Sequence, residues 1–278
     1  ASPATAVGTP TGPPEAAEGL RRAIGTRALA ANIVNMIVGS GIFVLPAAVA
    51  GILGPAAILA YLACAAVVGL IALCFAECGS RVAASGGGYA YIESAFGPYA
   101  GVLAGALAYL SNVVGSAAVA MVLMGALAGF WPVLAEPLPR GVAIVLLYGG
   151  FAALNLRGVA TGARFVEFTT LVKLAPLVLL AVAGLAYAEA ANFVGFRWPT
   201  AAELGSATLV LVFAFIGVEA ALQPSGEVRD PARTVPRAIA LGLLLVVALY
   251  GALQFAAQGV LGSALPDQKE PLAALARA

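Results

Sequence analysis

The chain has 278 residues, of which 62% are hydrophobic and only 10% charged, and its mean hydropathy is +1.00. Soluble domains carry about 25% charged residues to solvate their surfaces, so a water-soluble globule is excluded. The 14 Lys and Arg against 13 Asp and Glu leave a formal charge of +1, which points to neither a nucleic-acid partner nor an acidic tail.

In chain order, residues 1–19 are rich in Pro, Gly, Ala and Thr, too polar to pack, and read as a disordered tail. They contain no apolar core after a basic start and so form no signal peptide. A spanning helix needs about 20 mainly apolar residues. Seven such stretches follow: Arg27 to Leu53, Pro55 to Cys78, Phe96 to Trp131, Gly141 to Leu156, Phe165 to Tyr187, Leu204 to Gln223, and Pro236 to Leu261. The fourth is short and the third long, which predicts a marginal span and a tilted or extended one. The lipid bilayer is therefore the first partner this sequence implies.

Alternating loops carry nine Arg on one side (Arg21, Arg22, Arg27, Arg81, Arg157, Arg164, Arg229, Arg233, Arg237) and four cations on the other (Arg140, Arg197, Lys269, Arg277). The excess places the N-terminus in the cytoplasm of an inner, plasma-membrane protein. Cys64, Cys74 and Cys78 fall within one apolar stretch and read as reduced, buried small hydrophobes. With no His and three Cys, no metal cluster, cofactor or nucleophile-base pair is evident, so an enzyme is not expected.

The first stretch is interrupted at Val38-Gly39-Ser40-Gly41-Ile42-Phe43, with Pro46 after it. Two glycines cost helical propensity, and Ser competes for backbone bonds. An unwound turn in lipid is tolerated only where protein or a polar cavity supplies partners, which makes it a candidate ligand site. Small residues also serve close helix crossings, and this alternative stays open. The sixth stretch holds Phe213-Ala214-Phe215-Ile216-Gly217-Val218-Glu219, where Gly217 is joined by a carboxylate. An ionised Asp at a helix centre costs about 2.5 to 3.5 kcal/mol, so Glu219 needs an offsetting role. A gate, a proton sensor and a hydrogen-bonded packing group are all compatible with it.

Paired interrupted helices, one in each half of a chain, mark a midplane binding site in transporters. Ser40 and Ile216 are about 176 residues apart, a spacing that fits a five-helix repeat beginning again at the sixth helix. Half-helix N-termini hold carboxylates and freed carbonyls receive ammonium groups, a combination suited to an amino acid zwitterion. Lys173, in the fifth stretch, is the cation deepest in any span. An intramembrane Lys marks an ion or proton pathway unless it snorkels to an interface. Burial lowers the proton affinity of a lysine and suits it to proton exchange.

These residues resemble the amino acid-polyamine-organocation superfamily of permeases. The similar stretches are Gly39-Ser40-Gly41-Ile42-Phe43 with Pro46, Ser85-Gly86-Gly87-Gly88-Tyr89-Ala90-Tyr91 with Phe96-Gly97-Pro98, Phe213 to Glu219, and Gly226 to Arg237. The resemblance covers roughly residues 20 to 278. It implies an all-α polytopic membrane protein with seven transmembrane helices of a five-plus-five inverted-repeat transporter fold, broken at the first and sixth helices. Residues 20–188 would form the first five-helix repeat and 189–278 an incomplete second one. A first residue that is Ala and not Met agrees with a fragment or a processed chain. The resemblance places a substrate carboxylate on the backbone of Ser40, Gly41 and Ile42, and its ammonium on the carbonyls of Ile37, Phe213, Ala214 and Ile216. Phe213 would be an aromatic gate; ordinary packing is the alternative for Phe213 and Phe215. Lys173 would stand in for a sodium ion, donating to carbonyls of the broken first helix and coupling transport to protons.

Elsewhere, Glu77 and Arg81 have the i, i+4 spacing of a structural ion pair. The three glycines at 86–88 lack the Lys-Ser or Lys-Thr of a phosphate loop and predict a tight turn. Within a carrier, Asn112 and Ser116 on the third helix would contribute side-chain selectivity. The function implied is a secondary active amino acid transporter, proton-coupled or exchanging, with a polyamine or organic-amine carrier as the alternative. A retinal protein or receptor expects its Lys in the last helix and not the fifth of seven. An inert helix-packing subunit would use Gly39-Ser40-Gly41 for close contact only. Neither the particular amino acid nor the oligomeric state follows from the sequence.

Overall fold

A computed structural model describes residues 22–82, 85–156 and 159–278. The tail expected at 1–19 lies outside them. The helices are α1 (Thr26–Ile37), α2 (Leu45–Leu53), α3 (Ala57–Arg81), α4 (Gly88–Phe96), α5 (Pro98–Ala128), α6 (Pro137–Leu156), α7 (Val159–Ala186), α8 (Ala201–Phe215), α9 (Val218–Ala221), α10 (Pro231–Leu261) and α11 (Pro271–Arg277). Among the described residues no strand occurs, only an isolated parallel bridge between Ile24 and Val228.

Six helical stretches are long and apolar enough to cross a membrane: Leu45–Arg81, Pro98–Ala128, Pro137–Leu154, Phe168–Ala186, Ala201–Ala221 and Pro231–Asp267. The outward faces of α5 and α6 present Leu107, Val122, Val145 and Leu146 without cover, a surface suited to hydrocarbon. The protein is an integral membrane protein. The expected first span, Arg27 to Leu53, is present as two halves on either side of the Val38 to Phe43 interruption. Its halves, α1 and α2, are 12 and 9 residues long, each too short to span alone. Gly54, at φ 54°, turns the chain between α2 and α3, so that the 37-residue run is two helices. The expected third span, from Phe96, starts at Pro98, where Gly97 at φ 86° separates α4 from α5.

Local chemistry explains the ends. Thr200 and Glu203 form a reciprocal capping box at the start of α8, satisfying leading N–H groups that the helix cannot. Proline occupies the first turn of α2, α5, α10 and α11, where its missing N–H costs nothing. The glycine turn expected after α3 is present, with Gly86 at φ 123° and Gly87 at φ 56°.

The core sits around α10, which packs against α1, α3 and α7, while α8 lies against α2 and α3. Small residues bring these helices together. A Cβ on Gly242 of α10 would meet the Ile33 side chain at 2.8 Å, the close approach that substitutes for a hydrophobic drive in lipid. Of the three cysteines, all free, Cys64 is buried, but Cys74 and Cys78 face outward. The expectation of burial fails for those two because α3 packs along a single face. The Glu77–Arg81 ion pair forms on the exposed surface of α3.

Candidate functional site

Both expected breaks are present. Helix α1 ends where Val38 turns to φ −70°, ψ 90°. A single 3₁₀ turn at Gly41–Phe43 follows before α2 begins. Helix α8 ends at Ile216 with ψ 138°, and Gly217, at φ 137°, starts α9. Each break exposes backbone groups that an intact helix would pair internally.

The two breaks form one unit. A Cβ on Gly41 would lie 3.3 Å from Cα and Cβ of Ala214, and one on Gly217 would lie 2.8 Å from the Met36 carbonyl oxygen. Asn32 donates its amide to the Ala221 carbonyl at 3.2 Å, capping the end of α9 from α1. The hydroxyl of Tyr250 on α10 lies 3.2 Å from both the Ile37 and the Ala214 carbonyl oxygens. Two of the carbonyls expected to receive an ammonium thus face a phenol from a third helix. Tyr250 is fully buried and stacks edge-on with Phe215, ring centroids 5.2 Å apart.

The other expected residues are distributed unevenly. Ser40 is exposed, Gly41 half-buried and the Ile42 side chain buried in the turn. Phe215 is 2% exposed and belongs to the core, whereas Phe213 and Ile216 are 66% and 54% exposed. Glu219 accepts a hydrogen bond from the Gly217 N–H at 3.2 Å, so its carboxylate bridges the break itself. It also edges a pocket of about 80 Å³ between α3 and the second break, lined by Ile71, Phe75, Phe215 and Ile216 among others. Lys173 Nζ donates to the Asn35 backbone oxygen at 2.7 Å and to Asn35 Oδ1 at 2.9 Å, joining α7 to α1 two residues before Ile37. Pro176, one turn later in α7, removes the hydrogen bond that would occupy the Val172 carbonyl.

Asn112 and Ser116 line a different space, a cleft of about 390 Å³ whose lining residues all belong to α5 and α6. The Asn112 amide donates to Ala108 of its own helix at 2.9 Å, and Tyr148 donates to the Ser116 carbonyl at 2.8 Å. No residue of either break lines that cleft. Among the described residues no cluster of metal-ligating side chains occurs.

The matched family is "Amino acid permease", over residues 24–276. The chain belongs to the amino acid permease family. This permease chain is 32% identical over 254 residues to the cadaverine/lysine antiporter of Escherichia coli (strain K12), covering 88% of this chain and 54% of that relative. It is 29% identical to the serine/threonine exchanger SteT of Bacillus subtilis (strain 168), covering 88% and 56%. An uncharacterized transporter of Mycobacterium bovis is 31% identical, with 91% and 56% covered. The permease chain spans about half the length of these curated relatives.

Tyr250, Asn35 and Asn32 were not singled out from the sequence of this permease. Each is a polar side chain inside an apolar span, and that signal, applied to hydroxyls and amides as it was to charges, would have found them.

Proposed function

We propose that this protein is a secondary active transporter that exchanges amino acids across the plasma membrane by alternating access. The observation that carries the reading is the packing of the two helix breaks against one another, at Gly41 on Ala214 and Gly217 on Met36, which gathers free backbone groups of both helices inside an apolar bundle. Leading N–H groups at Ser40, Gly41 and Ile42 suit a carboxylate. Carbonyls of Ile37, Phe213, Ala214 and Ile216 suit an ammonium. Tyr250 leaves that role open, because each carbonyl oxygen has two lone pairs. Phe213 and Glu219 are the proposed gate residues. Exchange is supported by the relatives named as an antiporter and an exchanger.

The topology that accompanies this reading has seven membrane-spanning helices: α1 with α2, α3, α5, α6, α7, α8 with α9, and α10. Residues 20–188 form the first repeat and 189–278 belong to the second, inverted one, with the N-terminus cytoplasmic. Lys173 is the proposed coupling cation, held against α1 by Asn35, and protons are the proposed coupling ion.

A carrier of diamines is the second reading, favoured by the cadaverine/lysine antiporter among the relatives. Thermal stabilisation of the purified protein by the twenty amino acids and a set of diamines separates the two, since a ligand of the folded state raises its apparent stability. Stabilisation by amino acids that disappears on amidating their carboxyl group supports the zwitterion site; stabilisation by diamines alone replaces it. Counterflow into proteoliposomes preloaded with the stabilising compound then tests exchange, and its absence overturns the transport reading.

A further inference from the structure

One face of α10 is a single exposed stripe. Arg233, Arg237, Leu241 and Leu245 follow one another at i, i+4 spacing, with Leu244 beside them, and residues so spaced share one helix face. All five are exposed, Leu244 at 66%. The opposite face, with Val235, Ala238, Ile239, Gly242 and Val246, is buried in the bundle. Three uncovered leucines in a spanning helix face hydrocarbon, so the two arginines that begin the same stripe stand at the edge of the membrane.

Their depth follows from the helix itself and from its neighbour. Between Arg237 and the end of α10 at Leu261 the helix rises about 36 Å, slightly more than the roughly 30 Å of hydrocarbon. On α3, a Cβ at Gly79 would lie 2.9 Å from the Val235 side chain, which sets the end of α3, at Arg81, level with the first turns of α10. Arg237 is one turn outside Leu241, and its long stem lets the guanidinium reach the headgroups.

These two arginines lack a close acceptor. Those at other span ends are engaged by the chain: Arg81 pairs with Glu77, Arg197 with Glu203, and Arg140 donates to the Leu134 and Ala135 carbonyls. Arg233 has Asp230 only at 3.9 Å, beyond hydrogen-bond distance. Arg237 makes no ion pair among the described residues. Two guanidinium forks one helical turn apart suit the oxygens of a phosphate. On a hydrocarbon-facing surface at this depth, phosphates are supplied by lipid headgroups. A zwitterionic headgroup already neutralises its phosphate with its own ammonium, whereas an anionic one leaves its charge to the basic residues of the protein.

We propose that Arg233 and Arg237 form a binding site for the phosphate of an anionic lipid, seated where the leucine stripe of α10 begins. The site does not depend on what the protein transports.

Thermal unfolding of the full chain in detergent, with added phosphatidylglycerol, phosphatidylcholine or inorganic phosphate, tests the site, because a lipid that binds the folded state raises its Tm. Phosphatidylglycerol should raise Tm by at least about 3 °C more than phosphatidylcholine at equal concentration, and inorganic phosphate should have no effect. Combining Arg233→Gln with Arg237→Gln should abolish the difference between the lipids. Arg81→Gln, which removes an arginine already paired, should retain it. Equal stabilisation by the two lipids overturns the proposal, and so does a difference that survives in the double variant. A difference lost equally in Arg81→Gln would reflect net charge alone and overturns it too. Stabilisation by inorganic phosphate as large as that by phosphatidylglycerol assigns a free-anion site instead. Should the double variant fail to fold, Arg237→Gln alone is compared with Arg81→Gln, and retention of the full difference overturns the proposal.

Discussion

The ammonium group of Lys173 lies 2.7 Å from the backbone carbonyl oxygen of Asn35, with the side-chain oxygen of the same residue at 2.9 Å. One cation on α7 thereby holds two acceptors on α1, just ahead of the point where α1 unwinds. Hydrogen bonds to charged groups contribute about 1.5 to 3 kcal/mol each. Lys173→Ala should remove both, lower the Tm of the purified protein, and abolish the pH dependence of uptake. Measuring uptake in proteoliposomes across a pH series tests this; an unchanged profile with a lowered Tm would assign Lys173 a structural role only.

Tyr250→Phe keeps the ring that packs against Phe215 and deletes only the hydroxyl shared by the two broken helices. Loss of one buried hydrogen bond should cost about 0.5 to 1.5 kcal/mol, with a further penalty for the carbonyls left without it. The protein should remain monodisperse while its Tm falls and its affinity for the stabilising ligand changes. An affinity equal to that of the unmodified protein would show that the two breaks hold their arrangement without the phenol.

Gly217 and Gly39 should respond oppositely to alanine. At Gly217 a Cβ would meet Met36 backbone at 2.8 Å, and φ is 137°, a conformation L-residues adopt only at a cost of about 1 to 3 kcal/mol before the clash is counted. At Gly39 the nearest atom is the Ile37 carbonyl oxygen at 3.8 Å, ordinary contact. Size-exclusion yield after extraction should collapse for Gly217→Ala and hold for Gly39→Ala.

Thr200→Ala provides a control away from the breaks. It removes the side chain that accepts from the Glu203 N–H at 3.3 Å, an N-cap typically contributing about 1 kcal/mol. Glu203 retains its two-point contact with Arg197, at 2.6 and 3.1 Å. Tm should drop while ligand affinity stays constant; a changed affinity would mean that the start of α8 communicates with its broken end.

For Glu219, the bond from the Gly217 N–H needs an acceptor and not a charge. Glu219→Gln should keep the fold and Glu219→Leu should destabilise it. Comparing counterflow rates at equal reconstitution separates a charge-dependent gate, impaired in both, from a backbone cap, impaired only in Glu219→Leu.

The membrane class and the positions of both breaks were legible in the sequence because they depend on local terms. Hydrocarbon thickness sets the length of an apolar run, and Gly39-Ser40-Gly41 and Ile216-Gly217 weaken a helix wherever they stand. Gly54 and Gly97, which turn the chain through positive φ, fall at the limits read from the sequence for the second and third stretches. The partnerships were not legible at all. That Tyr250 spans Ile37 and Ala214 and that Asn35 receives Lys173 follow from how α1, α7, α8 and α10 cross. Those crossings are decided by where small residues such as Gly242 and Gly41 let two backbones approach. Sequence determined where the chain would unwind; only the packing of distant helices decided which side chains meet the backbone groups so released.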